Sequence, residues 1–180
     1  MRASDSGGRR RTRLLAAAGV LSLLPMTTGC QVGPAPAAPA EFRVTAPPWD
    51  APRDAVSYID KAGFERLPLD FSGPAPYTLK IAVNVDGKSV QLPPDIGVDR
   101  RRAEQAAVHT HGTDGTVWVE AKTTAERPTL KQFFELWGVR YDGKCVGDAC
   151  GGVTVLVNTR PAPWDTPLVR DSKIQVTARR

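Results

Sequence analysis

The sequence has few of the residues from which active sites and metal centres are usually built. Its 180 residues include only two histidines and three cysteines. Both histidines lie in residues 108–120 (VHTHGTDGTVWVE). Several enzyme classes are marked by a serine–histidine–aspartate catalytic triad, a glycine-rich phosphate-binding loop or a reactive cysteine. The sequence shows none of these three patterns. The sequence therefore does not indicate an enzyme, and any histidine chemistry must come from this one stretch.

The chain also lacks a long hydrophobic run and a broad basic surface. The apolar run at residues 14–24 is shorter than the roughly 20 residues that a transmembrane helix needs. The net charge is +5, but arginines near the N-terminus supply much of it. The other basic clusters, residues 100–102 and 179–180, are not interleaved with aromatic residues. We therefore do not expect nucleic-acid binding, which needs a broader basic face.

The N-terminus has the parts of an export signal. Arginines at positions 9, 10, 11 and 13 precede the apolar run, and Pro25 and several small residues follow it up to Cys30. A basic start, an apolar core of about 7–15 residues and a small-residue end characterise such signals. Residues 10–15 (RRTRLL) also fit a twin-arginine signal. The sequence leaves open which export route is used.

The end of this signal, residues 27–30 (TTGC), resembles that of a bacterial lipoprotein signal peptide. Thr28, Gly29 and Cys30 match that family's pattern, and Thr27 stands where the family has leucine. The resemblance implies that residues 1–30 are a lipoprotein signal and that Cys30 becomes the lipid-carrying N-terminus, with palmitate or similar acyl chains. The membrane would be a partner through this anchor, and the protein would lie at the outer face of the cell membrane. An ordinary secretory signal with an unrelated cysteine is the alternative.

The region after Cys30 is predicted to be a tether followed by one domain. Residues 31–53 are rich in proline and alanine, which favours an extended, semi-rigid chain. Such a spacer would lift a domain off the membrane. Residues 54–180 have the length of a single domain.

Two cysteines remain in this domain, Cys145 and Cys150, in the stretch CVGDAC. An even cysteine count in an exported chain indicates a disulfide, and the Gly147–Asp148 turn can bring the two residues together. A free pair that binds metal is the alternative. Because the loop is short, a disulfide here constrains the loop more than the whole domain.

Apolar periodicity predicts several secondary-structure elements. Residues 77–85 alternate as a strand and, through Asp86–Gly87, form a hairpin with residues 88–92. Residues 153–157 and 173–178 are further strands, and residues 139–141 are a short one. Residues 54–62 form a short helix, and residues 97–105 form a loop.

Residues 129–138 (TLKQFFELWG) contain the clearest helix signal. Thr129 and Gln132 have the spacing of a capping box, and Gly138 suits the position after the helix C-terminus. The apolar residues form one stripe on the helix surface: Leu130, Phe133, Phe134 and Trp137. This helix is expected to pack on one face of the sheet.

The order of these elements predicts an α+β fold, in which one helix packs on a small mixed β-sheet with an inserted β-hairpin. The arrangement of the last third resembles the β-grasp, ubiquitin-like fold of small sulfur carriers. Those carriers end in two glycines, whereas this chain ends in Ala178, Arg179 and Arg180. The resemblance therefore implies a fold and no carrier chemistry.

The inserted hairpin contains both histidines. With Asp114–Gly115 as a two-residue turn, His109 lies opposite Glu120 and His111 lies opposite Trp118. Side chains alternate along strands, so these four residues share one polar face. Val108, Val117 and other apolar residues share the opposite face, which is expected to lie on the core.

This polar face predicts a candidate metal site. Two imidazoles and one carboxylate, from His109, His111 and Glu120, suit zinc, or iron in a facial triad, and imidazole also suits copper. An open coordination position would even permit catalysis. The alternative is simple packing, in which Trp118 stacks on His111 as a cross-strand pair.

The hairpin and helix together resemble a family of uncharacterised exported bacterial proteins. The family pattern is His-Thr-His-Asp-x-x-Gly-x-x-His-x-Glu, followed by Thr-Leu-Gly-Gln-Phe-Phe-x-x-Trp-Gly. The chain departs from it at Gly112, where the family has aspartate, and at Trp118, where it has a third histidine. The matching residues are His109, Thr110, His111, Gly115, Glu120, Thr129, Leu130, Gln132, Phe133, Phe134, Trp137 and Gly138. The resemblance implies export and a shared fold over residues 78–178, but no reaction.

These observations predict a membrane-anchored extracytoplasmic lipoprotein with a binding or structural role. The alternative function is binding of a divalent metal, zinc or copper, by the face that carries His109, His111 and Glu120. The sequence identifies no protein partner.

Overall fold

The computed structural model describes residues 41–180, which contain two helices and ten strands. The helices are α1 (Ala55–Lys61) and α2 (Leu130–Trp137). The strands are β1 (Leu67–Pro68), β2 (Tyr77–Val85), β3 (Lys88–Val90), β4 (Val98–Asp99), β5 (Glu104–Gln105), β6 (Val108–His109), β7 (Thr116–Val119), β8 (Val153–Val157), β9 (Arg160–Pro161) and β10 (Lys173–Ala178). The predicted α+β class is confirmed. None of the helices within residues 41–180 has the length and apolar composition needed to cross a membrane.

The large sheet is built around two parallel central strands, β2 and β10. Its order is β6-β7-β2-β10-β8-β9, and β3 pairs with the C-terminal part of β2. All the other pairings in this sheet are antiparallel. Alternate residues of β2 are buried, as their period-two pattern predicts. Those inward residues are Leu79, Ile81, Val83 and Val85.

Helix α2 packs its aromatic stripe into the core. The predicted capping box is present: the Thr129 hydroxyl accepts from the Gln132 amide, and the Gln132 side chain accepts from the Thr129 amide. Gly138 ends the helix with φ 67°, a conformation that glycine adopts without a steric penalty. All four residues of the stripe are fully buried, so the helix supplies most of the aromatic core.

A second, small sheet was not expected from the sequence. Strands β1, β5 and β4 form it in that order, and two of them lie within residues 97–105, which were predicted to be a loop. Each strand has only two residues, so none is long enough to show a periodic pattern. The predicted strand at residues 139–141 is reduced to isolated bridges from Val139 and Tyr141.

The domain begins earlier in the chain than predicted. Residues 41–53 are part of the predicted tether, yet Trp49 is only 2% exposed. The Arg43 amide donates to the Gly138 carbonyl at 2.8 Å, and the Trp137 indole donates to the Trp49 carbonyl at 3.0 Å. This segment therefore belongs to the packed domain. The rest of the predicted tether and the predicted signal with Cys30 lie outside the described residues.

The predicted disulfide is confirmed between Cys145 and Cys150, whose Cα atoms are 4.1 Å apart. Val146 and Ala149 pair across the enclosed turn, with Gly147 at φ 59°. The Asp142 side chain accepts from the amides of Lys144 and Cys145. The bond thus closes a small loop that hydrogen bonds already hold.

Reduction of this disulfide is expected to lower the free energy of unfolding by about 2 kcal/mol, because a short loop constrains the unfolded chain only modestly. Urea unfolding with and without dithiothreitol measures the change. The Cys145→Ser/Cys150→Ser double variant should match the reduced protein and be insensitive to the reductant. A loss of folding on reduction would contradict the modest role given to this bond.

Candidate functional site

The two histidines lie at the edge of the large sheet, where β6 pairs with β7. Val108 lies opposite Val119, and His109 lies opposite Trp118. The predicted register, with His109 opposite Glu120, is therefore wrong by two residues. A two-residue shift leaves every side chain on its predicted face, whereas a one-residue shift would have reversed the faces.

The register differs because the connection between β6 and β7 is longer than a two-residue turn. The Asp114 side chain accepts from the amide and hydroxyl of Thr116 at 3.0 and 2.7 Å and from Lys80 Nζ at 2.8 Å. The Gly115 carbonyl accepts from the Ile81 amide of β2 at 2.9 Å. Contacts with β2 thus hold the chain between β6 and β7 in a longer loop than the two-residue Asp114–Gly115 turn that the sequence predicts.

His109 is fully buried, with no exposed side-chain surface, although the sequence placed it on the solvent side. A neighbouring segment covers the edge of β6 at this point. The Ile96 carbonyl accepts from the Thr110 amide at 3.1 Å. At Gly97, a Cβ atom would lie 2.4 Å from the Val108 carbonyl oxygen, so only glycine permits this close approach.

One hydrogen bond orients the His109 ring. Nδ1 lies 3.0 Å from the Ala106 carbonyl oxygen, which can only accept, so Nδ1 carries the proton. In the neutral ring Nε2 then has a free lone pair. Burial lowers the pKa of His109 to about 4, so the imidazole is neutral near pH 7.

His111 and Glu120 converge on this nitrogen. His109 Nε2 lies 3.2 Å from His111 Nε2 and 3.7 Å from Glu120 Oε2. Gln105 Nε2 donates to the same Glu120 oxygen at 3.3 Å. Burial raises the pKa of Glu120, while the nearby His111 and the Gln105 hydrogen bond act in the opposite direction. The structure therefore brings together the three side chains that the sequence grouped on one face.

The structure also shows the ring packing between His111 and Trp118 that is the alternative to a metal site. The rings of His111 and Trp118 meet edge to face with centroids 5.5 Å apart, and His111 meets His109 in a similar way at 4.8 Å. Trp118 is 36% exposed, and His111 is exposed. The side chains of His111 and Trp118 thus lie between the buried His109 ring and solvent.

Sequence reasoning missed two members of this site, the Ala106 carbonyl and Gln105. A backbone carbonyl has no sequence signal, and Gln105 belongs to a strand of only two residues. Among the side chains of residues 41–180, no group of three or more histidine, cysteine, aspartate and glutamate residues could hold a metal ion. The geometry thus offers a pair of imidazoles with a carboxylate beside it.

Fold and site together define a disulfide-containing α+β domain with a buried histidine at a sheet edge. No protein-family model, curated protein or solved structure matches the chain.

Proposed function

We propose that this chain is an exported, lipid-anchored protein whose domain has a binding or structural role at the outer face of the cell membrane. The observation that carries the proposal is the N-terminal pattern, in which a basic start and an apolar run lead to Thr28, Gly29 and Cys30. The Cys145–Cys150 disulfide supports it, since disulfides persist mainly in oxidising compartments outside the cytosol.

A β-grasp type of domain is the second part of the proposal. In this fold the first and last strands lie parallel at the centre of the sheet, and a helix follows the first hairpin. The parallel pairing of β2 with β10, and the sheet order with β8 and β9 on the far side, support this assignment. The chain between β3 and α2 would then be an insertion that carries the histidines.

The third part of the proposal is that the chain is related to the exported bacterial family that shares the histidine and helix pattern. The structure supplies physical reasons for several pattern residues, which supports the proposal. Thr129 and Gln132 form the capping box, Trp137 fills the core, and Gly115 and Gly138 have positive φ.

A binding role is favoured over catalysis by the exposed face of the sheet. Helix α2 covers one face, while residues on the other face of the central strands are exposed: Lys80, Ala82, Lys173 and Gln175. This face is available to a ligand or to another molecule.

Cys30→Ser is expected to move most of the protein from the membrane fraction to the soluble fraction of bacteria that express the full chain. Stable anchoring requires acyl chains that bury many CH₂ groups, and serine cannot carry a thioether-linked lipid. Fractionation with immunodetection measures the change, and incorporation of labelled palmitate checks the lipid directly.

Two control variants sharpen this experiment. Cys150→Ser should stay with the membrane, because it removes a cysteine from the domain and leaves the signal intact. Thr27→Leu, which restores the family's residue, should be processed at least as well as the original chain. A lack of palmitate incorporation into the original chain would refute the lipid anchor.

A further inference from the structure

We infer that His109 and His111 form a two-imidazole site for a divalent transition-metal ion, Zn²⁺ or Cu²⁺, with the remaining coordination positions open to water or to a small exogenous ligand. The inference rests on the binding role proposed above and names its ligand. It does not depend on the lipid anchor. It also differs from the three-ligand site that the sequence suggests, because only two side chains act as ligands.

The distance between the two nitrogens is the first observation. His109 Nε2 and His111 Nε2 are 3.2 Å apart. Two nitrogens bound to one tetrahedral zinc at about 2.0–2.1 Å lie about 3.4 Å from each other. A shift of a few tenths of an ångström, which the exposed His111 can make, would therefore let one ion bind both rings.

The orientation of His109 is the second observation. Histidine ligands usually donate the other ring N–H to a carbonyl or carboxylate, which fixes the tautomer and aims the free nitrogen at the ion. His109 has this arrangement, since Nδ1 donates to the Ala106 carbonyl. Its Nε2 lone pair is thus directed at His111 without the ion. The ion would replace the hydrogen that His111 Nε2 donates, and that proton would move to His111 Nδ1.

The surrounding charge is the third observation. Glu120 Oε2 lies 3.7 Å from His109 Nε2, and Gln105 holds this carboxylate in place. A negative charge this close to a partly buried cation is stabilising. Glu120 is assigned the role of a neutralising charge and not of a third ligand, because its oxygen already accepts from Gln105 and no three-ligand group occurs within residues 41–180.

Access is the fourth observation. His109 is fully buried, but His111 is exposed and Trp118 is 36% exposed. An ion would enter from the solvent side and keep that side open. With only two protein ligands, the site should bind reversibly and accept a further ligand, unlike a closed four-ligand structural site.

The test is titration of the full chain, solubilised in a nonionic detergent and freed of metal by chelator, with Zn²⁺ and with Cu²⁺. Isothermal calorimetry is expected to show one equivalent bound. Cu²⁺ should also quench the fluorescence of Trp118, whose ring contacts His111. The paramagnetic resonance spectrum of the copper form should show two imidazole nitrogens.

His111→Ala is the decisive variant, because an exposed side chain can be removed without disturbing the core. Its affinity should fall by at least about 100-fold, since loss of an outer-shell partner alone costs about 10–100-fold. Glu120→Gln should weaken binding by a smaller factor and keep the one-to-one ratio. Glu65→Gln, which removes an exposed carboxylate that pairs with Lys122 outside the site, is the matched control and should bind as the original chain does.

Three results would overturn the inference: no saturable binding of either ion, binding that His111→Ala leaves unchanged, or a copper spectrum with a single imidazole. These outcomes concern the domain alone. Membrane fractionation of Cys30→Ser reports separately on the anchor, so failure of one proposal is distinguishable from failure of the other.

Discussion

Trp137→Ala is expected to lower the free energy of unfolding by about 3–5 kcal/mol, the range for removal of a large aromatic side chain from a core. Trp137 has no exposed surface. Its ring meets Trp49 edge to face at 5.5 Å and stacks on Phe134 at 5.8 Å. The substitution would also remove the indole donor to the Trp49 carbonyl, and a buried acceptor left without a donor adds to the loss.

This effect is a large part of the total stability of a small domain, which is about 5–15 kcal/mol. The loss should also loosen residues 41–53, because Trp49 is the main buried residue of that segment. We therefore expect faster proteolytic cleavage there, in addition to a lower midpoint of urea unfolding followed by circular dichroism.

Trp118→Ala is the matched control, since it removes the same side chain from a site that is 36% exposed. Its effect should be about 1 kcal/mol or less, as is usual for surface substitutions. Similar losses for the two variants would show that α2 does not form the centre of the core.

A fall in pH from 7 to 4 is expected to cost about 3 kcal/mol of stability through His109 alone. Burial lowers the pKa of this imidazole from 6.5 to about 4. Between these values the unfolded chain binds the proton more readily than the folded chain does. Stability from this group is therefore fully present above pH 6.5 and decreases as the pH falls towards 4.

The charged and polar groups near the ring set the size of this effect. Burial lowers the pKa of His109 most, and the charge of His111 lowers it further, whereas the hydrogen bond to the Ala106 carbonyl raises it. Glu120, 3.7 Å away, is the nearest carboxylate. Its own pKa is raised by burial, so part of its negative charge is lost over the same acidic range.

Urea unfolding at pH 7, 5 and 4 measures the effect, and His109→Gln isolates it. Glutamine keeps an N–H donor for the Ala106 carbonyl but does not titrate. Other acidic groups affect both proteins alike, so the quantity of interest is the difference between them. A difference that stays constant from pH 7 to 4 would show that His109 is not held neutral by burial.

The elements with long periodic patterns were predictable from sequence. β2, β8 and β10 have the predicted bounds, and α2 has the predicted cap and end. Their signals are local, because alternation and capping depend on residues only a few positions apart. The two-residue strands of the small sheet could not be found in this way, since they exist only through pairing with distant partners.

The sequence predicted which side chains form the candidate site, but not which segments surround them. Period-two alternation placed His109, His111 and Glu120 on one face, and the structure brings them together. Alternation could not reveal that residues 96–97 cover this edge of the sheet. The hairpin register was also wrong, because contacts from Lys80 and Ile81 of β2 widen the loop.

The sequence by itself thus determined the main strands, the aromatic helix, the disulfide pair and the grouping of the two histidines with Glu120. Only the tertiary structure decided that residues 41–53 belong to the domain, that His109 is buried, and that its Nε2 faces His111. The physical reason is that alternation and capping are properties of neighbouring residues. Burial and ring orientation depend on segments that meet only when the whole chain has folded.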